Sequence, residues 1–309
     1  MTAITVGIVT ARKNEDTTYA AWRKLGLDFL RGAWRDPVMT GEWAALVASL
    51  RCFPPELHHV EHQLHALALQ TRVPDEVIVV DRCFGAAAKL PPGRKWPFKV
   101  FWAQPLVWPM EAAAGVTTPR ARTVCYGCAD KNTIIALCQT EHLLVLDDCC
   151  VPGFALVEKA LKVCESGRIL LPQHRQLYLP KDGRAAASAD SNTGPGGHDV
   201  FGVWAMPLEF ILNVNGLDTV NVDGKRGADD RDLKARMDLA SVVYAYEPMA
   251  RMYEVQHTYP WAGPEHDALA FLYPTQSVAP GPSLRAIREA VQNAGTEEAR
   301  LAAPTAVSA

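Results

Sequence analysis

Residues 141–152 have the sequence EHLLVLDDCCVP, and this stretch decides the fold class. Its centre is continuously apolar, which is typical of a strand buried on both faces of a parallel sheet. Two acids, Asp147 and Asp148, follow directly, and Pro152 ends the segment. We therefore predict a central strand over 141–146 with carboxylates at its carboxyl end.

Similar apolar runs occur before and after this strand, separated by segments with helical spacing. Strands are predicted at 4–10 (ITVGIVT), 76–80 (EVIVV), 98–102, 141–146 and 168–171. Helices are predicted at about 57–70, 132–138, 154–164 and 208–214, and a further helix opens at 229–236. Alternating strands and helices predict an α/β fold, Rossmann-like, with a mostly parallel central sheet and flanking helices.

We expect one main domain over residues 1–265 and a separate C-terminal segment over 266–309. The main domain contains an insertion at about 14–56, which serves either as a lid or acceptor-binding element or as structural cladding. The stretch Gly183–Gly197 is rich in Gly, Ala and Ser, which predicts a mobile loop. The C-terminal segment is predicted to form an amphipathic helix near 284–301 followed by a disordered tail.

Composition narrows the function classes. The 309 residues are 49% apolar, enough for a sizeable core, and the net charge of −3 gives no indication of strong phosphate-backbone binding. The N-terminal apolar run is short, lacks a preceding basic segment, and is not typical of a signal peptide. No apolar run is long enough to span a bilayer, and the eight scattered cysteines suit reduced thiols. We therefore expect a cytoplasmic protein without a transmembrane segment.

Polar residues follow three of the predicted strands. Because ligands of parallel α/β sheets bind beyond the carboxyl ends of the strands, Thr10, Asp81 and Asp147 should line one crevice. Carboxylates such as Asp147 and Asp148 can hold Mg²⁺ or Mn²⁺ at a diphosphate. The alternative is an acidic turn in which Asp147 caps the next helix.

A second acidic group, DDRDL at 229–233, precedes a helix. One of its carboxylates could act as a general base toward an acceptor hydroxyl. The alternative is simple complementarity between acids and the helix dipole. Further along the chain, His257 is either a metal ligand or a packed histidine. Trp204 either stacks on a sugar ring or packs in the core.

Taken in order, these segments resemble the family 2 glycosyltransferases of the GT-A fold. The resemblance covers roughly residues 4–260 and depends on the order of the motifs more than on any one of them. The matching segments are HALALQ (65–70), PDEVIVVD (74–81), DKN (130–132), HLLVLDDCCVP (142–152), NGLD (215–218), DDRDLKAR (229–236) and His257.

The resemblance implies a hexosyltransferase-like enzyme that uses a nucleotide-sugar donor, with uridine as the base. Thr10, Arg12 and Asp81 would contact the base and ribose, and Lys131 and Asn132 would lie near the donor. The metal and diphosphate would be surrounded by Asp147, Asp148, Cys149 and His257. Asp230 would be the general base of an inverting displacement, with Asp229 beside it. Trp204 and Asp232 are assigned to the acceptor side.

Two departures from the family pattern matter. Cys149 replaces the second acid of the metal motif, and Mg²⁺ prefers oxygen to sulfur. Either Asp148 substitutes, or the metal is Mn²⁺, or metal use is weakened. Asp229 replaces a glutamate, which keeps the carboxylate.

Two other functions remain as alternatives. A nucleotidyltransferase on a related scaffold would need a glycine-rich loop after the first strand, and residues 10–14 (TARKN) contain no glycine. A catalytically inactive protein that binds sugar nucleotides or a partner is consistent with Cys149. The acceptor stays open among saccharides, lipid-linked sugars, proteins, metabolites and modified nucleic-acid bases.

Overall fold

The computed structural model describes residues 2–10, 59–81, 95–103, 105–106, 127–147, 150–178, 186–187, 191–195, 201–220, 228–255 and 274–293. The strands in these ranges are β1 (Ile4–Thr10), β2 (Glu76–Asp81), β3 (Lys99–Ala103), β4 (His142–Leu146), β5 (Cys150–Pro152), β6 (Ile169–Leu170), β7 (Gln173–Tyr178), β8 (Ala186–Ala187), β9 (Trp204–Pro207), β10 (Tyr244–Ala245) and β11 (Arg251–Val255). The helices are α1 (His59–Ala68), α2 (Gly127–Leu137), α3 (Leu156–Glu165), α4 (Leu208–Asn213), α5 (Ala228–Leu239) and α6 (Leu284–Asn293).

Seven of the described strands form the central sheet, in the order β10-β6-β9-β4-β1-β2-β3. β1 pairs in parallel with β2 and with β4, and β2 pairs in parallel with β3. β9 runs antiparallel between β4 and β6. The protein is therefore an α/β protein with a mostly parallel central sheet and flanking helices, which confirms the predicted fold class.

Both faces of this sheet are covered, which explains the continuous apolar runs in the sequence. In β2, Val77 and Val79 pack in the core under α1 and α3. The alternate residues Ile78 and Val80 pack in a second core that contains residues of α2, α4, α5 and α6. Because successive side chains of a strand point to opposite faces, a strand covered on both sides must be apolar throughout.

Helix α2 starts earlier than predicted, at Gly127 rather than near Asn132. All of its residues from Cys128 to Leu137 are buried, including the polar residues Asp130, Lys131 and Asn132. A helix buried on all sides has no polar face, so the usual amphipathic period is missing. The sequence pattern therefore revealed only its apolar second half.

A second sheet of four described strands, β5-β11-β7-β8, was not predicted. β5 and β11 are antiparallel, and β11 and β7 are parallel. The described parts of Gly183–Gly197, predicted to be a mobile loop, contribute β8 and a bridge between Ser191 and His174. Strands of two or three residues are too short to leave a periodic signal in the sequence.

The C-terminal helix α6 packs on the main body of the protein. Its residues Leu284 and Val291 are buried in the core shared with α2. Arg288 and Gln292 both donate hydrogen bonds to the carbonyl of Cys138, at 3.1 and 3.0 Å. The predicted boundary at 265, the insertion at about 14–56 and the tail after 293 lie outside the described residues. None of the helices within the described ranges has the length and apolar character needed to cross a membrane.

Candidate active site

Three polar residues lie at the same edge of the central sheet. Thr10 and Asp81 end β1 and β2 and are Cα partners in the parallel register. Ile8 pairs with Leu146, so Asp147 follows β4 at that edge as well. Asp81 is buried, and its carboxylate accepts a hydrogen bond of 3.0 Å from the indole nitrogen of Trp102 on β3. The parallel order of β4, β1 and β2 thus places the residues expected to line the crevice at one edge.

The backbone that carries Asp147 is held by a buried glutamine on α1. The amide nitrogen of Gln63 donates to the carbonyls of Asp147 and Cys150, at 3.0 and 2.7 Å. The N–H of Cys150 also donates to the carbonyl of Asp147, closing the turn between β4 and β5. The sequence analysis missed Gln63, although a polar residue between Val60, Leu64 and Leu67 on the apolar side of a helix was the available signal.

Lys131 brings the two acidic motifs together. Its ammonium lies 3.1 Å from Oδ1 of Asp147, 3.3 Å from Oδ2 of Asp229 and 3.4 Å from Oδ1 of Asp230. The lysine side chain is 3% exposed, whereas that of Asp147 is 36% exposed and that of Asp230 is 29% exposed. The cation is therefore internal, and two of its carboxylate partners remain accessible from the crevice.

One ammonium cannot neutralise three carboxylates, and the pKa values reflect this. Burial alone would lower the pKa of Lys131, but the charges of Asp147, Asp229 and Asp230 hold it well above its usual value. Burial raises the pKa of Asp147 to about 6, against the effect of Lys131 and with help from the charge of Asp229. Burial and the charge of Asp229 raise the pKa of Asp230 to about 7, again against Lys131. Two acids of this site therefore titrate near neutral pH.

The backbone of Gly202, just before β9, borders both of these carboxylates. A Cβ atom at this position would lie 2.4 Å from Oδ2 of Asp147 and 3.4 Å from Oδ2 of Asp230. A side chain of any size would therefore occupy the space beside the two acids. The sequence analysis did not single out Gly202, because a lone glycine carries no distinguishing signal without its neighbours in space.

Asn132, expected near the donor, is buried and holds a turn of the chain. Its amide nitrogen donates to the carbonyl of Leu217 and its amide oxygen accepts from the N–H of Leu217, both at 2.8 Å. The adjacent Gly216 has φ +70°, and a Cβ there would lie 2.4 Å from Oδ1 of Asn132. The structure thus places Asn132 in the support of the NGLD turn rather than in the crevice.

Asp232, expected on the acceptor side, is buried in a structural ion pair. Nε of Arg236 donates to Oδ2 of Asp232 at 2.8 Å, one helical turn along α5. Nη1 of Arg236 donates to the carbonyls of Val214 and Gly216, at 3.0 and 2.8 Å. Burial raises the pKa of Asp232, partly offset by Arg236. The pair fixes α5 to the end of α4 and offers no carboxylate to an acceptor.

The expected role of Trp204 on the acceptor side also changes. It lies on β9 with 0% of its surface exposed, packed in the core that contains α2 and α4. A ring without exposed surface cannot stack on a sugar, so the core-packing alternative describes Trp204.

A His–Glu pair lies on the small sheet next to the site. Nε2 of His174 and Oε2 of Glu254 are 2.8 Å apart, and both side chains are mostly buried. Glu254 is the register partner of Cys150, three residues after Asp147, and its charge contributes to the raised pKa of Asp147. Sequence reasoning missed this pair because β7 and β11 were not both assigned to one sheet.

Four of the predicted site residues, Arg12, Asp148, Cys149 and His257, lie outside the described residues. Of the predicted metal ligands, only Asp147 is described. Within the described ranges, no three His, Cys, Asp or Glu side chains are grouped as ligands of a metal ion.

Comparison with solved structures finds likenesses to the TarS protein of S. aureus, residues 1–349. The structure in complex with UDP-GlcNAc is 12% identical, with 87% of this chain and 62% of that chain covered and a TM-score of 0.45. The complex with UDP is 11% identical, with 82% and 60% covered and a TM-score of 0.45. This chain therefore spans about three fifths of the length of those structures. No protein-family model matches the sequence, and neither does any curated protein.

Proposed function

We propose that this protein is a glycosyltransferase that moves a sugar from a nucleotide-sugar donor, a UDP-sugar, to an acceptor hydroxyl with inversion. The observation that carries the proposal is the convergence of Asp147 and Asp230 on Lys131 at the carboxyl edge of the sheet. The family resemblance assigns Asp147 to the diphosphate and Asp230 to the general base. These two residues are 83 positions apart in the sequence. Their proximity is what an in-line displacement between donor and acceptor requires.

Asp230 has the properties of a general base. Its pKa of about 7 leaves a substantial ionised fraction at neutral pH, and catalysis is most effective when the pKa of a base is near the working pH. Its side chain is 29% exposed, so an acceptor hydroxyl can approach it. In the proposed reaction Asp230 takes the hydroxyl proton as the acceptor oxygen attacks the anomeric carbon, and the nucleoside diphosphate leaves. Asp229 lies beside Asp230 and raises its pKa.

The donor would bind along the edge formed by β1, β2 and β4. Arg12 is proposed to contact the base and ribose, whereas Thr10 and Asp81, expected beside it, are 3% and 0% exposed and would support this part of the site from below. Asp147 and Asp148 would lie at the diphosphate. Lys131 and Asn132, buried and engaged as described above, are assigned to the support of the site.

A divalent cation, Mn²⁺ or Mg²⁺, is part of the proposal. Asp147 offers the hard oxygen ligand that these ions prefer, and three carboxylates share one ammonium, so a further cation would stabilise their ionised forms. The ion would be held by Asp147 with Asp148, Cys149 and His257, the ligands expected from the sequence. When bound, it would neutralise the developing charge of the leaving diphosphate.

The second candidate is a catalytically inactive protein that binds a sugar nucleotide. The replacement of the second metal-motif acid by Cys149 favours it, because a softer ligand weakens the hold on a hard cation. This candidate predicts nucleotide binding without turnover of any sugar nucleotide.

A thermal-shift panel tests the proposal first. UDP, UDP-glucose, UDP-GlcNAc, GDP and ADP are each added with MnCl₂ or with EDTA. Stabilisation by uridine nucleotides, larger with Mn²⁺ than with EDTA, is expected because a ligand of the native state raises its stability. An unchanged Tm with every nucleotide would refute the donor site.

Asp230→Asn then separates the enzyme from the inactive binder. The variant keeps the shape of the side chain and loses the base, so UDP stabilisation should persist. The release of UDP from the donor identified in the panel, with water taking the place of the acceptor hydroxyl and receiving the sugar, should fall about 10²- to 10⁴-fold. The inactive-binder alternative predicts no release by either form.

A further inference from the structure

We propose that Lys131 is a positioning residue that fixes the first turn of α5, and with it Asp230, and does not contact the donor. This inference rests on the proposed function and refines it, because the family resemblance places this lysine near the donor instead. Three lines of geometry support it.

The first is a count of hydrogen-bond donors. A lysine ammonium has three N–H donors and no acceptor. Three carboxylates, from Asp147, Asp229 and Asp230, lie within 3.1–3.4 Å of the Lys131 nitrogen. The side chain is 3% exposed, and the three carboxylates match the three N–H donors, so no donor is left over for a phosphate oxygen.

The second line of geometry is that the carboxylates around Lys131 come from two different elements of the fold. Asp147 follows β4, whereas Asp229 and Asp230 belong to the first turn of α5. Lys131 comes from α2, which is buried from Cys128 to Leu137 and therefore rigidly placed. The ammonium is thus the point at which a strand end and a helix start are held to the core.

The third line of geometry is a set of contacts that links α2, α5 and the NGLD turn and includes Asn132, the residue after Lys131. Lys131 binds the start of α5, and Asn132 binds the backbone of Leu217. About two turns further along α5, Arg236 donates to the carbonyl of Gly216, next to Leu217. Two consecutive residues of α2 therefore hold α5 at two places, directly and through the NGLD turn. A helix held at both places cannot rotate its first turn independently.

Without the ammonium, three carboxylates would face one another with no cation between them. The first turn of α5 would lose its link to α2, and Asp230 would be displaced with it. A displacement of about 1 Å can lower turnover by about 10²-fold. Donor contacts beside β1 and β2 involve other strands, and Gln63 still holds the backbone of Asp147, so UDP binding should persist.

The test compares Lys131→Met with Thr133→Val in the full-length protein. Thr133 lies on the same helix, and its hydroxyl bonds the carbonyl of Ala129 and the N–H of Leu106, away from the acids. UDP affinity is measured by calorimetry with Mn²⁺, and kcat and KM are measured for UDP release from the sugar nucleotide found in the panel. We expect Lys131→Met to keep UDP affinity and KM within about 3-fold and to lose about 10²-fold in kcat. Thr133→Val should keep all three.

A rescue experiment and an exchange experiment complete the test. Propylammonium added to Lys131→Ala should restore part of the kcat, whereas sodium chloride at equal ionic strength should not. Amide hydrogen exchange at residues 232–235, whose N–H groups bond the carbonyls of the first turn, should accelerate in Lys131→Met and not in Thr133→Val. This measurement needs no nucleotide, so it tests the lysine even if the wild-type protein binds no UDP and the proposed function fails. Parallel loss of UDP affinity and kcat, or unchanged exchange at 232–235, would overturn the positioning role.

Discussion

The side chain of Asn132 and the backbone of Leu217 are joined by two reciprocal hydrogen bonds, each 2.8 Å long. The pair ties α2 to the turn that follows α4, between residues 85 positions apart in the chain. The turn can approach so closely because Gly216 has no side chain and adopts φ +70°. This contact supports the helix that carries Asp230, and it makes Gly216 a sensitive position.

Gly216→Ala should lower the free energy of unfolding by about 3 kcal/mol. About 1–2 kcal/mol comes from the left-handed backbone, and the rest from contacts of the new Cβ with Asn132, whose buried hydrogen bonds it breaks, and with Leu284. Gly167→Ala is the matched control, because Gly167 has φ +68° and open space around its Cβ position. It should cost only about 1–2 kcal/mol. Equal losses in urea unfolding of the two variants would show that the contact with Asn132 contributes nothing.

Gly202→Ala should impair the site more than the fold. The new Cβ would meet Oδ2 of Asp147 at 2.4 Å, so the carboxylate must shift from its present place beside Lys131. We expect the Mn²⁺-dependent stabilisation by UDP to be lost while the Tm without ligand falls by a few degrees. Gly194→Ala, with nothing within 4 Å of its Cβ position, should preserve both. Normal UDP stabilisation of Gly202→Ala would remove Asp147 from the nucleotide site.

Arg236→Met should unfold the protein far more readily than Lys234→Met. The first change leaves Asp232 buried without its partner and removes the donor to two carbonyls, at a cost of about 3–5 kcal/mol. Lys234 pairs with Asp238 on the same helix at the same spacing, but these side chains are 30% and 49% exposed. Its replacement should cost less than about 1 kcal/mol. Urea unfolding measures both, and a loss below about 1 kcal/mol for Arg236→Met would refute the structural role of the buried pair.

The pKa of Asp230 gives a prediction with a definite sign. Its value of about 7 lies above that of an unfolded aspartate, near 3.9, so the folded state binds this proton more tightly. Ionisation of Asp230 therefore destabilises the fold increasingly as the pH rises from about 4 to above 7. Asp230→Asn cannot ionise. Its Tm relative to the wild type should therefore increase from pH 5 to pH 8.

Glu158 is the control, because its pKa is shifted in the direction opposite to that of Asp230. A hydrogen bond from Lys162 lowers the pKa of Glu158, so ionisation of this acid favours the folded state. Glu158→Gln should therefore show no gain in relative Tm over the same pH range. A flat or falling difference for Asp230→Asn would mean that Asp230 does not have a raised pKa in the folded protein.

Much of the fold was predictable because its strands are short-range features of the sequence. The strands at Ile4–Thr10, Glu76–Asp81 and His142–Leu146 correspond to the predicted apolar runs. Once their parallel order was assumed, the placement of Thr10, Asp81 and Asp147 at one edge followed from the geometry of parallel sheets. In the second sheet, β5 and β8 are two or three residues long and are defined only by their partners, and β7 and β11 pair across about 80 positions of the chain, which no local pattern records.

The sequence alone thus determined the fold class and the acids that follow its strands, since apolar runs and the residues that end them are local properties. Only the tertiary structure decided which polar residues face the crevice and which hold the frame. Lys131 contacts Asp230, which is 99 positions away in the chain. Asn132 and Asp232 hydrogen-bond buried partners, and Trp204 lies inside the core. A sequence pattern specifies the character of each residue and its close neighbours. The partner that satisfies a buried charge or amide is set by packing between distant elements, because such a group must be paired wherever the fold places it.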